Sequence, residues 1–259
     1  MDVEGDGENS ARHARLDYDN ESHRQAGWFV RLSARLSRGV RKVQAQIGPY
    51  ARAWEQANAA TLSAAGPLWV VLGDSMSQGI GASRYDCGWV SQLQVLLDQA
   101  GHPYRVLNLS VYGARVEDVL TRQLPAMQDL AAEPDLVTVL IGSNDLVSTK
   151  HRRDLLSNYR RLLHQLPRGS VIASPFGNFG VGRQINAFIA EESADRGFKV
   201  LNNREEASFA SWRDKLAEDH FHPSDRGYAE LAESFFHTIL PTSALSGQIE
   251  PAARPSGHD

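Results

Sequence analysis

The chain has 259 residues, 42% hydrophobic and 22% charged, with a formal net charge of −4. That is a globular mix with room for one α/β domain plus extensions, and its slight acidity gives no reason to expect a nucleic-acid partner. A single cysteine, Cys87, excludes an internal disulfide framework and a Cys-rich zinc site and fits a reducing compartment.

Taken in chain order, residues 1–25 are polar and charged with few large apolar side chains, which predicts a disordered tail. The start also lacks the basic and apolar regions of a signal peptide. No apolar run approaches the roughly 18 residues of a membrane-spanning helix, so a cytoplasmic protein is expected. Residues 26–65 read as a helical extension. At 100° per residue, Trp28, Phe29, Leu32, Leu36, Val40, Val43 and Ile47 share an arc of about 120°. Arg31, Arg35, Arg38, Arg41 and Lys42 lie opposite. The apolar face of 28–47 has three candidate neighbours: its own domain, a second copy of the chain, or an anionic membrane to which the protein would bind peripherally. Gly48-Pro49 predicts a stop or kink, a second helix is expected at about 51–65, and Gly66-Pro67 marks a boundary.

Residues 66–240 alternate strand and helix. Strands are predicted at Leu68–Leu72, Arg105–Leu109, Leu136–Ile141, Ser170–Ala173 and Phe198–Leu201. Helices are predicted at Trp89–Ala100, Val116–Leu130, Arg152–Leu166, Arg183–Arg196 and from Ser224 to about Leu240. Crossovers of this length favour parallel strands, hence a three-layer αβα sandwich with a five-stranded sheet. Residues 241–259 read as a second disordered tail.

Sites in such sheets form beyond the carboxyl ends of the strands. Strand 1 runs into Gly73-Asp74-Ser75, strand 2 into "NLSVYGAR" and strand 3 into "GSND". A flavodoxin-like order, 2-1-3-4-5, would bring the three together. Ser75 is the candidate nucleophile, needing a base, a group to orient the base, and donors for an oxyanion. The base is sought in "EDHFHP", where Asp219 and His222 stand at i, i+3; on one turn the carboxylate can accept the imidazole Nδ1 proton. His220, two residues earlier, is the competing histidine. Donors are offered by the backbone N–H groups of Ser75 and Gly113 and the side chain of Asn144. A helix after Ser75 would aim its positive end at the site.

These blocks, in this order, resemble the SGNH hydrolases, also called GDSL-type esterases and lipases: Ser75 in "GDSMSQG", Gly113 in "NLSVYG", Asn144 in "GSND" and His222 in "DHFHP". The resemblance spans roughly Leu68 to Leu240. It implies the flavodoxin-like sandwich, serine chemistry on acyl esters, His222 rather than His220 as base and Asp219 as third triad member, with neither a metal nor an organic cofactor. Small-molecule or lipid esters are the implied substrates. An acyltransferase or thioesterase could use the same residues, and a non-catalytic ligand-binding module is the alternative of another class.

Simpler roles stand beside these. Asp74 and Ser75 could cap a helix, Asn108 and Ser110 could hold the strand 2 turn, and Asp145 could order its loop or cap the next helix. Tyr85, Phe176 and Phe179 are candidate substrate contacts. Trp89, at the start of a helix with Leu93, Leu96 and Leu97 on a compatible face, reads as core.

Overall fold

Six consecutive buried residues, Leu68–Gly73, form β1, with β2 (Arg105–Asn108) and β3 (Leu136–Leu140) paired parallel on either side. β4 (Val171–Ala173) and β5 (Lys199–Leu201) continue the sheet, whose order is β2-β1-β3-β4-β5. The protein is described by a computed structural model at residues 16–22, 37–148, 150–174, 180–201 and 213–241.

A strand buried on both faces must be apolar throughout, and β1 shows how the two faces divide. Leu68, Val70 and Leu72 join one core with Val116, Leu124, Tyr159, Leu163, Ile185 and Ile189. Trp69 and Val71 point the other way, into a core with Trp89, Leu93, Leu97, Tyr228, Leu231 and Phe235. The first layer comprises α4 (Val116–Asp118, a π-turn Val119–Gln123, then Leu124–Gln128), α6 (Leu155–Gln165) and α7 (Gly180–Arg196). The second comprises α3 (Trp89–Gln99) and α8 (Asp225–Ile239). Trp89 is fully buried and stacks on Phe235, with centroids 4.2 Å apart. A short α5 (Ser143–Val147) follows β3. Among the described residues no helix is long and apolar enough to cross a membrane.

The amino-terminal region departs from expectation in two ways. α1 spans Arg38–Gln44 and α2 spans Ile47–Ser63, so the break falls at Ala45-Gln46 and Gly48-Pro49 lies inside α2. Pro49 occupies the third position of that helix, where a backbone N–H has no intrahelical partner to lose. Trp28, Phe29, Leu32 and Leu36 of the predicted stripe lie outside the described residues. Val43, from the described part, is buried against Tyr50 and Ile80 of the same chain.

The second departure concerns residues 16–22, which were expected to belong to a disordered tail. Leu16 and Tyr18 instead pack on the main core, and Asn20 is buried. β2 is an edge strand, and unpaired strand edges need cover. Asn20 Nδ2 donates to the carbonyls of Asn108 and Ser110, both at 2.8 Å. From α2, Asn58 both accepts the Asn108 N–H and donates to the Asn108 carbonyl, at 2.8 Å each, and Thr61 donates to Val106 O at 2.6 Å. Composition undervalues such a segment because two apolar contacts, Leu16 and Tyr18, and one buried amide, Asn20, are enough to anchor it.

Candidate active site

The sheet register brings three loops together. Gly73 pairs with Leu140, so Ser75 and Gly142 stand two residues beyond paired positions. On the other side the chain after β2 stays beside β1: Leu109 N donates to Val71 O at 2.9 Å and Val111 N to Gly73 O at 3.3 Å. Tyr112 and Gly113 follow directly on this pairing, as Asp74 and Ser75 follow on β1. Gln123, fully buried in the π-turn, accepts the Gly73 N–H at 2.8 Å and donates to the Gly73 carbonyl at 2.9 Å. It holds both polar groups of the residue that ends β1.

No helix follows Ser75, contrary to the expected source of a positive dipole. Ser75–Gly81 form consecutive turns and the next α-helix starts at Trp89. Gly79 and Gly81 take φ values of +79° and +101°, which break any helical run. Asp74 Oδ1 accepts the Met76 N–H at 3.0 Å, a local side-chain turn rather than a helix cap.

His222 comes from the loop before α8. Its Nε2 lies 3.0 Å from Ser75 Oγ, and its Nδ1 lies 2.6 Å from Asp219 Oδ2. Asp219 Oδ1 accepts the backbone N–H groups of Phe221 and His222, each at 3.0 Å. All three side chains are largely shielded, with Ser75 5% exposed and His222 6%. Burial alone would raise the Asp219 carboxyl, but the His222 hydrogen bond and charge and the two backbone N–H groups outweigh it. They hold the group below the usual carboxylate range. Asp219 is therefore ionised at neutral pH and directs the Nδ1 proton toward itself, which leaves the Nε2 lone pair for the serine hydroxyl. His220 is exposed and takes a left-handed φ of 57°, on the same loop but outside this relay.

Asn144 is half-buried, and its Nδ2 donates to Ala114 O at 3.0 Å and to Asp74 Oδ2 at 3.3 Å. Asp74 Oδ2 also accepts from Ser143 Oγ at 2.8 Å. Burial pushes the Asp74 carboxyl up, opposed by the Met76 N–H and the Ser143 hydroxyl. Gly113 has φ +71°, and a methyl group added there would meet nothing within 4 Å. The left-handed backbone, rather than crowding, calls for glycine at that position. Asp145 is buried and caps neither its own loop nor the next helix; it accepts the Val116 N–H at 3.2 Å, at the start of α4. Burial pushes it up to about 6.

Residues 71–230, more than half of the chain, match the GDSL-like lipase/acylhydrolase family. The chain belongs to this family. One curated relative, the esterase TesA of Pseudomonas aeruginosa, is 42% identical over 86 residues, covering 33% of this chain and 41% of that protein. The match thus spans about two fifths of the relative's length. Among solved structures, a variant of the acetyl xylan esterase Axe2 from Geobacillus stearothermophilus has a TM-score of 0.54 at 22% identity. It covers 68% of this chain and 95% of its own. The psychrotrophic esterase EstA from Pseudoalteromonas sp. has a TM-score of 0.52 at 18% identity, covering 70% and 100%. At these identities the two structures share the fold of the GDSL domain.

Of the three candidate substrate contacts, Phe176 and Phe179 lie outside the described residues. Tyr85 makes edge-on ring contacts with Tyr50 and Trp54, 6.5 and 5.6 Å between centroids, which ties it to α2. Two aromatic residues overlooked in the sequence flank the histidine. The Phe221 ring is 4.9 Å from the imidazole and 58% exposed, and the Tyr112 ring is 6.4 Å away on the Gly113 loop. Their adjacency to His222 and Gly113 in the chain was the available signal.

Proposed function

We propose that the chain hydrolyses carboxylic esters through an acyl-enzyme on Ser75. The observation that carries this reading is the relay from Ser75 Oγ to His222 Nε2 and from His222 Nδ1 to Asp219, at 3.0 and 2.6 Å. Ser75 Oγ attacks the acyl carbonyl while His222 Nε2 takes the hydroxyl proton. The resulting imidazolium is stabilised by Asp219 and passes that proton to the departing alcohol. Water then repeats the sequence on the acyl-enzyme and releases the acid.

The oxyanion is held by the N–H groups of Ser75 and Gly113 and by Asn144. An oxyanion competes best for the Asn144 proton now directed at Asp74, because that bond, at 3.3 Å, is the longer of the two. Asp74 keeps Ser143 and the Met76 N–H as donors when it yields this one. Asn144→Ala is accordingly expected to lower kcat by about 10² to 10³, with KM little changed, in steady-state assays with p-nitrophenyl esters. The direct test of the nucleophile is a fluorophosphonate probe. Folded protein should be labelled at Ser75, as mapped by peptide mass spectrometry; absence of labelling would favour a ligand-binding module instead.

A further inference from the structure

The family match begins at residue 71, yet the loop carrying the proposed base rests on residues well before it. Gln46, at the corner between α1 and α2, accepts the Gly81 N–H through Oε1 at 2.9 Å and donates through Nε2 to Ala82 O at 2.8 Å. Tyr50, one turn further on, donates its hydroxyl to the same Ala82 carbonyl at 2.9 Å. The turn held in this way is the seat of the histidine. A methyl group at Gly81 would lie 2.7 Å from His222 Cβ and 2.5 Å from Pro223 O. Gly81 thus leaves no room for a side chain between its own backbone and His222 Cβ, the Pro223 carbonyl and Ala217 Cβ.

The same corner meets the loop one residue before Asp219. Lys42 pairs with the Glu218 carboxylate, and a methyl group at Gly39 would lie 2.1 Å from the Glu218 carbonyl oxygen. Between these contacts the seam is open: a groove of about 430 Å³ runs along it, lined by Lys42, Gln46, Ala82, Glu218 and Asp225 among others. Beside the groove Ala217 packs against the Val43, Tyr50 and Ile80 cluster, and the loop closes on itself through Ala217 N to His222 O at 2.8 Å, so the corner meets it as a closed unit.

We propose that the α1–α2 corner is a positioning element for the hydrolytic centre, with Gln46 as its principal positioning residue, acting on His222 through the Gly81-Ala82 turn. The proposal rests on the reading of Ser75, His222 and Asp219 as that centre. Gln46 touches none of the three. It fixes the height of the surface on which His222 sits and so the Nε2 to Oγ approach, to which proton transfer is sensitive.

Gln46→Met keeps the side-chain volume and removes both hydrogen bonds. It is expected to lower kcat for p-nitrophenyl esters about tenfold with KM unchanged. The proton NMR signal of the His222 Nδ1 to Asp219 bond should shift or broaden. Gly39→Ala loads the Glu218 carbonyl from the other side without opening a cavity, and should also lower kcat. Circular dichroism at the assay temperature reads the folded fraction of each variant. Wild-type kcat in both variants, or a loss no larger than the loss of folded protein, overturns the proposal. Absence of ester turnover and of Ser75 labelling in the wild-type protein overturns the underlying reading instead.

Discussion

Ser75→Ala is expected to lower kcat for ester hydrolysis by about 10⁴ to 10⁶, with thermal unfolding close to wild type. The hydroxyl is small, and its contact with His222 links two loops that are also joined elsewhere, so little stability depends on it. Rescue by the neighbouring serine is excluded by its orientation. Ser77 is buried, and a methyl group at Gly73 would lie 2.4 Å from Ser77 Oγ, so that hydroxyl faces back onto the end of β1. Residual turnover in the variant would come from water attack on an ester polarised by the Gly113 and Asn144 donors, which the substitution leaves in place. The measurement is the p-nitrophenolate release rate at saturating substrate. A rate within tenfold of wild type would mean that acyl transfer runs through another group.

The residues that converge on this spot were legible because each follows a strand. Apolar runs at Leu68, Arg105 and Leu136 mark the strands, and parallel order places their carboxyl ends side by side. Asp219 and His222 were legible as a pair because three residues of spacing can close one turn. Contacts spread across distant sequence were not. Asn20 reaches β2 across about 90 residues, and Gln46 meets Gly81 across 35. Neither carries a local pattern, since an amide in a polar segment looks the same whether solvated or buried. Asp145 was read against its own loop, whereas burial and the register of β3 turn it toward Val116. Tyr85, expected near the mouth of the site, also meets Tyr50 and Trp54 of α2, contacts across more than 30 residues that periodicity does not encode.

Asp219→Asn is expected to lower kcat by about 10⁴ with KM nearly unchanged, a larger loss than the size of the substitution suggests. The argument is in how the two carboxylate oxygens are used. Oδ2 faces His222 Nδ1 at 2.6 Å, while Oδ1 accepts two backbone N–H groups at 3.0 Å. An asparagine has one acceptor oxygen and one NH₂ group to place in these positions. Turning NH₂ toward the backbone would set donors against the two N–H groups and take away the acceptor they share. The amide oxygen therefore stays with the backbone, and NH₂ faces Nδ1. Nδ1 must then accept, so the proton of the neutral imidazole moves to Nε2, the atom that has to take the Ser75 proton. The loop keeps its shape and the base is in the wrong tautomer. Asp219→Ala separates this effect from a structural one: it frees the imidazole to choose its tautomer but strips both N–H groups of their acceptor. It should therefore lower the unfolding midpoint, whereas Asp219→Asn should leave it close to wild type. If Asp219→Asn retained kcat within tenfold, Asp219 would be holding the loop rather than the proton, and the orientation of His222 would rest on the Gly81-Ala82 turn beneath it.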